Sequence, residues 1–298
     1  VQSFLHCVTR WLAIASLVGA TASVEAKVDA QPQTTHSVAS ANGVPIVYEV
    51  HGIGEPTLIL IHGWSCDRSY WSSQLGPLAE WYKVVAVDLG GHGESGAGRR
   101  AWTIDSFGED VAAVVAQAVE GDVILVGHSM GGDVAVAAAL RLGDRVKAII
   151  WVDTYRQFGA RRSPEDIEIL VRPFRDDFAA TTREFVRGMF PAGADQALIE
   201  RVAEDMASAP PEIAVPALES SLNYGRTITE TIRGLEAPIV AINAEASRPD
   251  AESLKAHGVD VVPTTGVGHF MMMENPQSFN TLLLRILERY RSRDGGDR

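Results

Sequence analysis

The residues best placed to do chemistry form the pentapeptide Gly127-His128-Ser129-Met130-Gly131. A serine hydroxyl becomes a nucleophile when a base takes its proton, and Gly-x-Ser-x-Gly exposes that hydroxyl at a sharp strand-to-helix turn. Here the pentapeptide follows the apolar run 123–126 and opens an alanine-rich stretch reaching Leu142, so strand, turn and helix come in the required order. The glycines permit the turn, and the helix N-terminus lies beneath the hydroxyl. Ser129 is the candidate nucleophile.

Its base should be a histidine, because a neutral imidazole takes and returns a proton near neutral pH. Of the eight histidines, His269 follows the last apolar run through the glycine-containing loop 264–268, which can swing its ring toward Ser129. His128, inside the elbow, is expected to point away from the site, and His62 and His92 read as structural members of loop motifs. His36, His51 and His257 default to the surface.

These groups need a scaffold that brings distant loops to one edge. Short continuous apolar runs at 57–61, 84–88, 123–127, 146–152, 238–242 and 259–263 suit strands buried on both faces of a parallel sheet. Alternating segments at 37–41 and 45–50 flank Asn42-Gly43, a hairpin signal. Helical patterns lie between most strands: one from Thr103 to about 119, one over 129–142, and one opening at Asn275-Pro276. The expected architecture is α/β, a mostly parallel eight-stranded sheet flanked by helices. Between 153 and 238 there is no strand pattern, only helical stretches at 164–171, 178–189 and 196–207 punctuated by Pro173, Pro191 and Pro210-Pro211. This interval reads as a helical cap, 155–237, inserted before the penultimate strand and dividing the core into 27–154 and 238–291.

His62-Gly63-Trp64 after the first parallel strand, Asp88 to Ser95 after the second, the Ser129 elbow and Gly268-His269 near the end occur in the order found in α/β-hydrolases. Over nearly its whole length past the leader, the chain resembles the capped members of that superfamily. The resemblance implies that the backbone N–H groups of Trp64 and Met130 form the oxyanion hole, and that the Asp88–Ser95 loop is structural. Family members usually carry an acid three residues beyond a glycine after the penultimate strand, where this chain has Ser247. Some place it after the preceding strand instead, which here is Asp153. A charge at the tip of a buried strand is costly without a partner, which favours Asp153 as the triad acid, with Glu245 and Asp250 as alternatives. Serine at the nucleophile position argues against the dehalogenase and epoxide hydrolase branches, which use aspartate.

Composition narrows the rest. The 298 residues are 46% hydrophobic and 21% charged with a net charge of −12, which suits a globular domain and opposes nucleic-acid binding. His6 and Arg10 precede a short apolar run, 11–20, too short for the roughly 20 residues of a membrane span. Residues 1–26 read as a signal peptide, so the expected location is secreted or periplasmic, or cytoplasmic if the leader stays. Cys66 is then the one remaining thiol, expected to pack as a small hydrophobe, and the tail 292–298 is expected to be flexible. No cofactor, metal ligand set, phosphate loop or stable membrane anchor is indicated. Arg99-Arg100 and Arg161-Arg162 read as solvated surface. Cap aromatics with Met189 and residues 270–273 should line an apolar pocket, only a minority touching substrate.

The expected function is a serine hydrolase that cleaves an ester or lactone of a small to medium apolar molecule through an acyl-enzyme. Carbon–carbon bond hydrolysis, amide hydrolysis and perhydrolysis are alternatives on the same triad, as is a ligand-binding protein with a weakened one.

Overall fold

The computed structural model describes residues 34–291, apart from Gln157, Ala160 and Arg248. The leader expected over 1–26 and the tail 292–298 lie outside them.

Eight strands, β1 (Thr34–Ala39), β2 (Pro45–His51), β3 (Thr57–Ile61), β4 (Val84–Val87), β5 (Val123–His128), β6 (Val146–Val152), β7 (Ile239–Ala244) and β8 (Asp260–Thr264), form one sheet in the order β1-β2-β4-β3-β5-β6-β7-β8. The first two form the hairpin that Asn42-Gly43 forecasts, Gly43 adopting φ 76°, and β2 runs antiparallel to β4. All later pairs are parallel. The inner strands β3, β4 and β5 are buried at every position, because helices cover both faces of the sheet. That two-sided burial explains their unbroken runs of Val, Ile and Leu.

The helices are α1 (Ser72–Ala79), α2 (Ile104–Ala118), α3 (Met130–Leu142), α4 (Pro164–Asp176), α5 (Phe178–Arg187), α6 (Gln196–Ala207), α7 (Pro211–Tyr224), α8 (Ile228–Thr231), α9 (Ala251–Ala256), α10 (Met271–Glu274) and α11 (Pro276–Leu287). Thr103 and Ser106 cap the start of α2 reciprocally, and Asn275 caps α11 with Pro276 at its first turn. Helices α4 to α8 fill the interval between β6 and β7. Pro173 lies inside α4 rather than ending it, and Pro210-Pro211 opens α7 rather than breaking the chain.

Register decides what happens at the carboxyl edge. Ile61 is level with Gly127, Gly127 with Trp151, and Val152 with Ile242. The loops after β3, β5, β6 and β7 therefore emerge side by side, where open α/β sheets place their ligands.

Among the described residues, no helix is long and apolar enough to cross a membrane.

Candidate active site

Strand β5 ends at His128 and α3 begins at Met130, leaving Ser129 alone to reverse the chain at φ 52° and ψ −122°. Positive φ is uncommon for a non-glycine residue, so the turn is held from outside. The Ser129 N–H donates to the Val152 carbonyl at 2.9 Å, and the Ser129 carbonyl accepts from Gly132 at 2.9 Å. Both elbow glycines are required by close approach. A Cβ on Gly127 would lie 2.2 Å from the Gly131 carbonyl oxygen, and one on Gly131 2.5 Å from that of His62.

Asp153 ends β6 in the same way, at φ 48°, with its N–H donating to the Ile242 carbonyl. Its carboxylate, 2% exposed as a residue, accepts from His269 Nδ1 at 2.7 Å, from Ser247 Oγ at 2.8 Å and from the Ala244 N–H at 3.0 Å. Burial pushes its pKa up, but the bond to His269, the imidazole's charge and the other two donors outweigh that, holding it below the usual carboxylate range. Asp153, not the alternatives, meets His269. Glu245 is exposed on a short turn after β7, and Asp250 caps α9 through the Ser253 N–H.

His269 is 6% exposed and lies on a loop fixed on three sides. Glu274 accepts from the N–H groups of Gly268 and Phe270, on either side of the histidine, at 2.9 and 3.1 Å. The His269 N–H itself donates to the Met189 carbonyl, just past α5, at 3.1 Å. With Nδ1–H directed at Asp153, the lone pair of Nε2 is left for proton transfer. Ser129, His269 and Asp153 line one cavity of about 580 Å³.

His128 departs from expectation. Its ring lies beside that of His269, centroids 4.6 Å apart, and Nε2–H donates to the His269 carbonyl at 2.9 Å. Burial, then the charge of His269, lowers its pKa to about 3, so it remains a neutral packing partner of the His269 backbone. His62 donates from Nδ1 to the Gly63 carbonyl and accepts the Leu89 N–H at Nε2, so it is structural, as its loop position suggests. Asp88 likewise organises its loop, accepting from the N–H groups of Arg68 and Glu94 and pairing with the Arg68 guanidinium.

Trp64 joins this edge to the cap. Its indole Nε1 donates to the Ala214 carbonyl at 2.6 Å, and its ring meets Phe174 edge-on, centroids 5.4 Å apart. The Trp64 N–H donates to no backbone carbonyl among the described residues. Met130 opens α3, so its N–H is one of those a helix leaves without an internal acceptor. Cys66 is buried beside them, its thiol donating to the Trp64 carbonyl.

Of the cap aromatics, Phe174 and Phe185 line the cavity together with Met189 and Phe270, whereas Phe158, Phe178 and Phe190 pack elsewhere. Two expectations about arginine fail. Arg99 is buried and ion-paired with Asp110, and Arg162 lines the cavity instead of facing only solvent. Sequence reasoning gave no role to Ser247, Glu274 or Asp133. The side chains of Ser247 and Asp133 bond across the fold, so no local spacing betrays them, and Glu274 bonds backbone N–H groups, which have no side-chain pattern.

The sheet, its order and the serine elbow define the molecule as an α/β hydrolase. Residues 58–282 match the model described as the alpha/beta hydrolase family, and the chain belongs to that family. A pimeloyl-[acyl-carrier protein] methyl ester esterase of Nitrosospira multiformis is 25% identical over 80% of this chain and 97% of its own. A karrikin insensitive 2 receptor of Petunia hybrida is also 25% identical, over 80% of this chain and 96% of its own. The solved esterase of Thermogutta terrifontis superposes with a TM-score of 0.73 at 23% identity, covering 87% of this chain and 100% of that one.

Proposed function

We propose that the protein hydrolyses an ester or lactone of a small to medium apolar molecule through an acyl-enzyme. One observation carries the reading: a buried His269–Asp153 pair, bonded at 2.7 Å, lines the same cavity as the elbow serine. In this reading Ser129 Oγ attacks the carbonyl while His269 Nε2 takes its proton. Asp153 fixes the tautomer and steadies the imidazolium. The N–H groups of Trp64 and Met130 receive the charge on the tetrahedral oxygen, a role whose loss typically costs ~10²–10³ in rate. His269 then returns the proton to the leaving alcohol, and water releases the acyl group by the same steps in reverse. The apolar cap wall, with Phe174 and Phe185, suits the hydrocarbon part of the substrate. The similarity to a methyl ester esterase supports ester over carbon–carbon or amide chemistry.

The test is a series of p-nitrophenyl esters of increasing acyl length, run beside Ser129→Ala. Turnover that the variant loses, together with serine labelling by a fluorophosphonate, is expected. Wild-type rates no higher than the variant's, with no labelling, would sink the enzyme reading. Similarity to a receptor favours one second reading, a ligand-binding protein on this scaffold. It predicts saturable binding with negligible turnover in the same assay.

A further inference from the structure

Asp133 is a second carboxyl in the cavity, one turn of α3 beyond the nucleophile, and the proposed mechanism does not use it. It is 3% exposed. One oxygen accepts from the Tyr155 hydroxyl, just past β6, and the other from Ser221 Oγ on α7 at 2.7 Å. Tyr155, Ser221 and Thr154 line the cavity with it, and Thr154 Oγ1 is buried without a hydrogen-bond partner. Much of the remaining lining, including Ile169, Leu170, Phe174 and Phe185, is apolar. The cavity therefore combines this polar group with a largely hydrocarbon lining.

A carboxyl sealed into such a wall is expensive, and a pair of apolar side chains would join α3 to α7 at lower cost. Its acceptor capacity is also only half used, since a carboxylate offers about four lone-pair positions and two donors occupy it here. Arg156 and Arg162 line the same cavity and oppose a cationic ligand, while Asp133 and Glu184, which line it too, oppose an anionic one. What fits is a neutral donor. Four residues along a helix is a rise of about 6 Å, so that donor belongs close to the reacting carbonyl.

We propose that Asp133, with Tyr155, Ser221 and Thr154, forms a polar subsite accepting a hydrogen bond from a neutral hydroxyl or amide N–H that the substrate carries a few bonds from its scissile carbonyl. The proposal rests on the hydrolase reading above and narrows its substrate class to esters or lactones bearing such a donor. Burial raises the Asp133 pKa to about 7, so around neutrality the carboxyl is partly ionised, which suits acceptance from a neutral donor.

The experiment compares p-nitrophenyl β-hydroxybutyrate with p-nitrophenyl butyrate, a pair differing by one hydroxyl. Wild-type kcat/KM should favour the hydroxy ester by about tenfold or more, the scale of one hydrogen bond to a charged group. Asp133→Ala should bring the ratio to within about twofold of unity, because the acceptor is gone. Ser221→Ala and Tyr155→Phe, each reorienting the carboxyl, should lower it partway and serve if Asp133→Ala does not fold. A wild-type ratio near one, or a ratio that survives Asp133→Ala, overturns the subsite. If neither ester turns over, calorimetry on the Ser129→Ala protein with the two methyl esters separates the questions. Tighter binding of the hydroxy ester keeps the subsite while the hydrolase reading falls, and equal or undetectable binding of both rejects the subsite.

Discussion

Asp153 keeps its charge inside the protein because three donors converge on it, and Ser247 is the one whose identity is least expected. It stands at the loop position where the family resemblance leads one to expect the acid, and donates to the carboxylate at the neighbouring strand end. Ser247→Ala should therefore lower kcat several-fold, roughly 3–10-fold for one charge-assisted bond, with KM nearly unchanged because Ser247 does not line the cavity. An equal loss in KM and none in kcat would reject the positioning role. Asp153→Asn should cost far more, up to ~10⁴ in kcat, since an amide can favour the wrong imidazole tautomer. Adding Ser247→Asp to that variant should restore part of the rate, because Ser247 Oγ and His269 Nδ1 bond the same Asp153 oxygen, which puts position 247 beside the imidazole. No recovery in the double variant would mean that only the β6 position has the needed geometry. Asp153 was legible because a carboxylate at the tip of an apolar strand demands a partner. Ser247 was legible only as a departure from pattern, since a serine can end any loop.

At the level of elements, the strands were readable and the cap was only partly so. Burial on both faces writes β3 to β7 as continuous apolar runs, and their order follows from the crossovers. Prolines misled: Pro173 sits inside α4, where the surrounding packing outweighs the lost backbone bond, and Pro210-Pro211 leads into α7, which was not foreseen at all. Helix α1, with Pro77 inside it, was not foreseen either. The contact of the cap with the histidine loop could not be read either, because it is made by backbone. There, Gly268 packs so close to the end of α5 that a Cβ would lie 2.5 Å from the Met189 carbonyl oxygen and 2.8 Å from Pro191. Neither obstacle is a flexible side-chain tip. Gly268→Ala should separate the cap from the loop, destabilising the protein by about 1–3 kcal/mol and lowering kcat/KM through a misplaced imidazole. Urea unfolding and steady-state kinetics on the same preparation check both halves. A variant with wild-type values would mean that loop and cap separate without consequence.

Across the whole molecule, the buried titratable groups set how stability responds to acid. Burial, the largest cause in each case, lowers the pKa of His62 to about 4 and those of His92 and His128 to about 3, well below the 6.5 of an exposed histidine. On acidification through pH 6.5 the unfolded chain takes up protons at these three positions and the folded chain does not, so their contribution to stability falls. Asp133 acts in the opposite sense. Its folded pKa is raised to about 7, so near pH 6 the folded state holds a proton that the unfolded state has released. Asp88, Asp110 and Glu274 are also raised by burial and add to that opposition, chiefly at lower pH. Three histidines against one carboxyl leave a net uptake of roughly one to two protons on unfolding near pH 5.5, a slope of about 1.4–2.8 kcal/mol per pH unit. Unfolding free energy from urea titrations should thus drop on going from pH 7 to 5.5. Asn in place of Asp133 removes the opposing proton, so Asp133→Asn should steepen that drop. A stability flat over this interval would show that the three imidazoles are charged in the folded protein, contrary to their burial and to the neutral hydrogen-bonded roles assigned to His62 and His128.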